Sequence, residues 1–349
     1  MTILGRRFLL PALLGLGGAA ACFAQNPSSK LFSDMRWREI GPMRAGRTRA
    51  LAGVPSQSAT FYLGAVNGGV WKTTDAGATW HSVWDSQPSG SIGTIAVSLS
   101  DPETVYVGSG EGLQRPDLST GDGVYKSTDG GATWTHLGLS DGQQIGQIAI
   151  DPKDANRVFV AVTGHPYGPN EERGLFRTTD GGKTWKKVLY VNDKTGASEV
   201  QIDPQNPKIV FAGMWQRQEA PWENGSWIGA DGGLFRSTDG GDNWTKLTGH
   251  GLPDDILQVQ MTISPTDSKR MYAAVATVHG TVGIFRSDDE GVNWVHAPDN
   301  DSRPEARIGG GDVPVPVVDR RMHPRLAAVV GAHQAHPSAY LADLRVDAP

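Results

Sequence analysis

The chain has 349 residues, of which 38% are hydrophobic and 20% charged, and its formal net charge is -5. That apolar share excludes a disordered chain, and the acidic balance argues against a polyanion partner, so no nucleic acid is expected to bind. One cysteine excludes an intramolecular disulfide framework and a multi-cysteine zinc site, while 45 glycines without a Gly-X-Y period point to many turns.

From the N-terminus, Arg6 and Arg7 precede an apolar run over 8–21 and the small-residue end Cys22-Phe23-Ala24. This is the plan of a secretory signal over residues 1–24, cut after Ala24, with the product exported to the periplasm or beyond. The apolar run is too short to span a bilayer comfortably, and no other window approaches transmembrane length. Two variants stay open: Arg6-Arg7 before Phe8-Leu9-Leu10 reads as a twin-arginine signal, and Ala19-Ala20-Ala21-Cys22 is a poor lipobox that would anchor Cys22 to lipid. Residues 25–35 form a short linker.

Five segments then share the pattern Ser/Thr-x-Asp-x-Gly-x-Thr/Asn-Trp, at 73–80, 127–134, 178–185, 237–244 and 287–294. Their aspartates, Asp75, Asp129, Asp180, Asp239 and Asp289, are 54, 51, 59 and 50 residues apart, long enough for one four-stranded sheet each. In a hairpin turn a short carboxylate accepts hydrogen bonds from backbone N–H groups that the turn leaves unpaired, and the glycine two places on permits a left-handed backbone. The tryptophans, Trp80, Trp134, Trp185, Trp244 and Trp294, return into the next strand and are expected to be buried between sheets. An aromatic and a basic residue precede each box, as in Gly123-Val124-Tyr125-Lys126, and strict alternation predicts that the base faces solvent. Further upstream come two more strands per repeat, such as 145–150 and 157–162 around an Asp-Pro turn. Each unit therefore reads as strands A, B, C and D in a meander, and four-stranded units repeated radially make a β-propeller.

With these five boxes the chain resembles the Asp-box (BNR) repeat family. Glu39-Ile40-Gly41-Pro42, Gly68-Gly69-Val70-Trp71-Lys72, Gly108-Ser109-Gly110-Glu111 and Glu172-Arg173-Gly174 are similar to sortilin-type propellers of exported bacterial proteins, many of which carry the label glycosyl hydrolase. The resemblance implies an all-β fold over residues 36–333, with five clear blades and a partial sixth. Strands A and B of that sixth unit fit 313–319 and 326–331, but no box follows, and 334–349 is an atypical tail. Either the tail supplies strand C and residues 36–40 supply strand D, closing a ring, or the chain is a piece of a longer propeller.

Parity of the meander puts the A–B and C–D turns on one face and the B–C and D–A loops on the other. Those latter loops vary in length, which is where recognition usually sits on a uniform scaffold. The candidate ligand-binding residues there are Glu111, Arg115, Asp117, His165, Arg173, Trp215, Arg217, Glu219, Trp222 and Glu223. Trp215 and Trp222 beside Glu219 and Glu223 suit stacking on sugars or anchoring a peptide, or else pack a long loop onto itself. Glu111 near Arg115 and Asp117 reads as surface ion pairing. No cofactor site is expected, and His333 and His336 lack a third ligand for a metal.

No serine elbow, zinc helix, phosphate loop or dinucleotide fingerprint occurs. The preferred expectation is an exported recognition scaffold that binds a peptide, protein or glycan. The alternative is a glycoside hydrolase, sialidase-like or another Asp-box glycosidase, which needs two facing carboxyl groups or a tyrosine with an arginine cluster.

Overall fold

A computed structural model describes residues 47–112, 118–219, 226–279 and 282–297. The five expected sheets are all present, each a meander of strands taken in chain order. Blade 1 holds β1 (Thr48–Gly53), β2 (Phe61–Ala65), β3 (Gly69–Thr73) and β4 (His81–Ser82). Blade 2 holds β5 (Ile92–Val97), β6 (Val105–Ser109), β7 (Val124–Ser127) and β8 (Thr135–His136). Blade 3 holds β9 (Ile145–Asp151), β10 (Asp154–Val162), β11 (Gly174–Thr178) and β12 (Lys186–Leu189). Blade 4 holds β13 (Thr195–Ile202), β14 (Val210–Glu219), a short β15 (Ser226–Ile228) paired to the end of β14, β16 (Gly233–Ser237) and β17 (Thr245–Lys246). Blade 5 holds β18 (Ile256–Ile263), β19 (Met271–Thr277), β20 (Val282–Ser287) and β21 (Val295–His296). All pairings are antiparallel, and the fold is an all-β propeller.

The first strand of each blade is innermost, and β1, β5, β9, β13 and β18 pack each on the next. Apolar residues alternate along the strands, so each sheet offers one apolar face to the blade before it and one to the blade after it. The core accordingly divides into four clusters, one per seam, rather than one central mass.

The boxes explain why the C–D turns are uniform. In blade 2 the Ser127 hydroxyl donates to Asp129 Oδ1 at 2.7 Å and accepts the N–H of Gly131 at 2.8 Å, while Asp129 accepts the Thr133 N–H at 2.8 Å and its hydroxyl at 2.6 Å. Gly131 sits at φ 92°, and its four counterparts lie between 78° and 95°, a region costly for any other residue. These accepted hydrogen bonds hold the Asp75 and Asp129 carboxyls down at about 2. Each box also donates a backbone hydrogen bond to the A–B turn of its own blade, as Gly130 does to Glu103 and Gly240 to Lys208. Boxes and A–B turns therefore share one face, as parity required.

Two expectations need correction. The strand C bases do not simply face solvent: Lys72 donates to Gly130 O at 2.8 Å, Lys126 to Gly181 O at 3.4 Å and Arg177 to Gly240 O at 2.7 Å, each reaching a box carbonyl of the following blade. An ammonium on a long stem can cover an aromatic ring and still reach a carbonyl across the seam, as Lys72 does over Tyr62. The box tryptophans are half-buried except for Trp294, because each lies at the outer rim of its seam, and four of them, Trp134, Trp185, Trp244 and Trp294, donate the indole N–H to backbone, as Trp134 does to Val83 O.

The signal, the linker, the sixth unit, the tail and Cys22 lie outside the described residues, as do Arg115, Asp117, Trp222 and Glu223. No helix among the described residues is long and apolar enough to cross a membrane.

Candidate functional site

The B–C and D–A loops gather on the face opposite the boxes, and two polar groups form there. The first lies at the innermost strands. Every strand A carries a β-bulge near its start, which leaves one residue unpaired: Arg49, Gly93, Gly146, Ser198 and Leu257 in blades 1 to 5. A bulge re-aims its side chain, and in blade 1 it turns Arg49 inward, where only 5% of the residue remains exposed. Arg49 Nε donates to Glu111 O at 2.9 Å and a terminal nitrogen to Gly112 O at 3.3 Å.

Glu111 is fully buried rather than a surface ion-pair partner. One carboxylate oxygen accepts from Arg47 at 2.8 Å and the other from the Ser119 N–H at 3.1 Å, while Gln144 Oε1 accepts both the Glu111 and Gly112 N–H groups at 2.6 and 2.9 Å. The first half of this loop is thereby fastened to blade 1 on one side and blade 3 on the other. Gly110 makes the approach possible: it has φ +82°, and a Cβ there would stand 2.1 Å from Gln143 O.

Glu199, one position past the bulge in β13, is 4% exposed. Its Oε1 accepts from Gln201 at 2.9 Å, and Gln147 and the Met261 N–H also donate to the carboxylate, so strands of blades 3, 4 and 5 meet at this group. Burial pushes its carboxyl up to about 7, against the pull of those hydrogen bonds and of Arg49. Burial also brings Arg49 down to about 10, outweighing the attraction of Glu199 and Glu111. Desolvation wins on both partners.

The second group stands on a ribbon. Strand β14 runs past the end of β16 and pairs Arg217, Gln218 and Glu219 with β15. The Glu219 N–H donates to Pro166 O at 2.7 Å, which lays the ribbon on the B–C loop of blade 3. The Glu219 side chain is 2% exposed, with an Arg217 nitrogen 3.5 Å from Oε1. Among the described residues Glu219 Oε1, Arg217 Nε and Trp215 Nε1 are buried without a hydrogen-bond partner, an unusual concentration of unsatisfied polar atoms. Burial raises the Glu219 carboxyl and lowers the Arg217 guanidinium, and their mutual attraction opposes both. The Arg217 guanidinium lies 5.5 Å from the centre of the buried Trp215 ring.

Of the sequence candidates, Trp215, Arg217 and Glu219 are brought together. Arg173 is not with them. It is buried in its own loop, donating to Thr163 O at 2.6 Å, to Gly168 O at 2.9 Å and to His165 O, and burial lowers it to about 10. His165 Nε2 lies 2.9 Å from Asp141 Oδ1, joining a B–C loop to the neighbouring D–A loop. Arg49, Gln144, Gln147 and Glu199 were not anticipated. The signal available was a charged residue inside an otherwise apolar innermost strand, as in Ala197-Ser198-Glu199-Val200. Among the described residues no group of three His, Cys, Asp or Glu side chains is set to hold a metal ion.

Residues 122–234 match the family model described as Sortilin, neurotensin receptor 3. The solved structures with this fold include an ancestral GH74 enzyme, with a TM-score of 0.58 and 20% identity over 75% of this chain and 32% of that one. The chain carries a sortilin-like β-propeller. A second structural relative of this propeller is the GH74 xyloglucanase from Xanthomonas campestris, with a TM-score of 0.52 and 16% identity over 72% of this chain and 38% of that one. Among curated relatives, the xyloglucanase Xgh74A of Acetivibrio thermocellus is 26% identical over 269 residues, 66% of this chain and 29% of the relative. The probable oligoxyloglucan-reducing end-specific xyloglucanase of Neosartorya fischeri is 22% identical over 79% of this chain and 33% of its own length. The chain thus spans about a third of the curated relatives it matches. These relatives overturn the expectation of a non-enzymatic recognition scaffold, since they carry the names of polysaccharide hydrolases and favour the glycoside hydrolase alternative. The scaffold reading rested on the absence of a catalytic signature in sequence. Glycoside hydrolysis leaves no such signature, because its carboxyl groups come from separate loops.

Proposed function

We propose that this protein is an exported glycoside hydrolase acting on a polysaccharide of the xyloglucan type through its variable-loop face. The observation that carries the reading is the match to xyloglucanases over 66% and 79% of this chain. The chemistry requires a carboxylic acid that protonates the leaving glycosidic oxygen and a second carboxylate that activates water or attacks the anomeric carbon. Glu219 has the properties of the acid: burial keeps it protonated to higher pH, and its Oε1 has no competing hydrogen bond among the described residues. Arg217 stands by to steady the carboxylate once the proton has left, at 3.5 Å. The second carboxylate is assigned to Asp117 or Glu223, with Trp222 and Arg115 as sugar-binding neighbours on the same loops. Glu111, Arg173 and Trp215 are assigned to holding these loops in shape, and His165 to joining two of them.

The same reading takes the five boxes as Asp-box (BNR) repeats, residues 1–24 as the export signal and residues 36–333 as the propeller. The product is then periplasmic or extracellular, with a glycan as its partner.

The test is release of new reducing ends from xyloglucan by purified protein, with Glu219→Gln, Asp117→Asn and Glu223→Gln compared on the same substrate. Loss of the acid is expected to lower kcat by about 100-fold or more with KM little changed. A folded wild-type protein that leaves xyloglucan intact, or a Glu219→Gln variant with an unchanged rate, would end this assignment.

A further inference from the structure

Among the described side chains two of the Phe, Tyr and Trp rings are exposed, Tyr167 at 48% and Tyr190 at 40%. Every other described ring of these types is buried or half-buried. Both tyrosines stand on the variable-loop face of blade 3, Tyr167 in the B–C loop and Tyr190 at the start of the D–A loop.

The loop that carries Tyr167 is fastened from inside and outside. Arg173 ties Thr163, His165 and Gly168 together from within. Asn170 ties the loop to its surroundings: its Oδ1 accepts the His165 N–H at 2.9 Å, its Nδ2 donates to Asp141 O at 2.9 Å and its N–H donates to Asp193 O at 3.0 Å. Pro166 O receives the Glu219 N–H, which makes the loop continuous with the candidate site. A guanidinium is costly to bury, and here it holds one short loop in a single shape. A loop ordered in advance loses less entropy when a ligand binds to it.

Tyr190 is set with equal care. Lys187 Nζ lies 4.3 Å from the centre of its ring and donates to Glu171 O, while the phenol stands 3.5 Å from Glu171 Oε2. The ammonium takes one face of the ring and leaves the other to solvent. The backbone from Pro166 to Glu171 spans at most about 17 Å, so the Glu219 ribbon and both rings lie within reach of one chain molecule. A sugar has an apolar C–H face that stacks on such a ring and a hydroxyl edge that bonds to flanking polar groups, here Glu171 and Lys187. A protein partner asks instead for a contiguous apolar patch, and the charged groups around Tyr190 interrupt one.

We propose that Tyr167 and Tyr190 form a distal sugar-binding platform, which holds a neutral polysaccharide chain as it runs on from the Glu219 ribbon. The proposal rests on the glycan reading of this face and adds where an extended chain is gripped.

The test is retardation in native gels containing polymeric xyloglucan, with Glu219→Gln as the parent so that the polymer stays intact. Tyr167→Ala and Tyr190→Ala, added singly, are each expected to weaken binding by about tenfold, the size of effect that truncating an aromatic anchor has. Tyr190→Phe keeps the ring and should bind as the parent does. Leu99→Ala, which removes an exposed apolar side chain from an A–B turn on the box face, should also leave binding unchanged. Unfolding midpoints matching the parent's check that the variants are folded. Equal retardation of Tyr167→Ala, Tyr190→Ala and the parent overturns the platform and leaves the role of Glu219 untouched. Tyrosine-dependent retardation, in a protein whose wild type releases no reducing ends, supports the platform and ends the hydrolase reading instead. If xyloglucan retards no variant, parent included, the platform falls together with the glycan reading.

Discussion

Glu199 makes the stability of this propeller depend on pH in an unusual direction. Its carboxyl is held at about 7 in the folded chain, against an ordinary value of 4.5. A carboxyl raised on folding binds more protons in the folded state than in the unfolded one. Its contribution is therefore fully present below about 4.5, declines as pH rises and is lost above about 7. A shift of roughly 2.5 units corresponds to about 3 kcal/mol across that window. Replacing Glu199 by Gln keeps a neutral group of the same shape, so variant and wild type should differ least at the acid end of the window, where the folded carboxyl is protonated. Near pH 8 the wild type carries a buried carboxylate and the variant does not, and the variant should be more stable by about 3 kcal/mol, or roughly 3–6 °C in Tm for a chain this long. Thermal unfolding of both proteins at intervals between pH 5 and 8 measures the difference. If the two curves run parallel across the window, or if Glu199→Gln is the less stable at pH 8, burial does not dominate at this site and Arg49 compensates the charge in full.

Arg173→Met removes three hydrogen bonds to backbone carbonyls inside one loop and should lower stability by about 3 kcal/mol, read from denaturant unfolding, since buried acceptors left unpaired are costly. An unchanged midpoint would mean that the loop is not held by this clamp. Tyr106→Phe deletes the bond from the phenol to Ala155 O at 3.0 Å across a seam, and a loss of about 1 kcal/mol is expected. Tyr272 holds the same place in blade 5, so Tyr272→Phe should cost no more than a few tenths of that figure if no seam partner reaches it, and a loss equal to that of Tyr106→Phe would reveal one.

The repeat was legible because each box specifies a local turn. Ser127, Asp129, Gly131 and Thr133 bond mainly to one another and to their own backbone, so the motif carries its geometry wherever it occurs. Five such turns at regular intervals determined the blades, their meander order and the face on which the variable loops lie. Their neighbours followed only in part. Alternation along strand C said which side Lys72 and Arg177 occupy, but not that the next blade's box carbonyls would stand within their reach.

The candidate site depended on contacts between blades. Trp215, Arg217 and Glu219 are close in sequence and were all among the loop candidates, whereas Glu111 and Arg173 looked like surface groups and proved to be buried fastenings. Arg49 and Glu199 are 150 residues apart, and neither belongs to a motif. Local sequence determined turns and strands because those rest on hydrogen bonds between near neighbours. The packing of innermost strands from separate blades decided that Glu199 and Arg49 lose their water, and with it where the raised carboxyl of Glu199 stands, because desolvation is set by everything around a side chain.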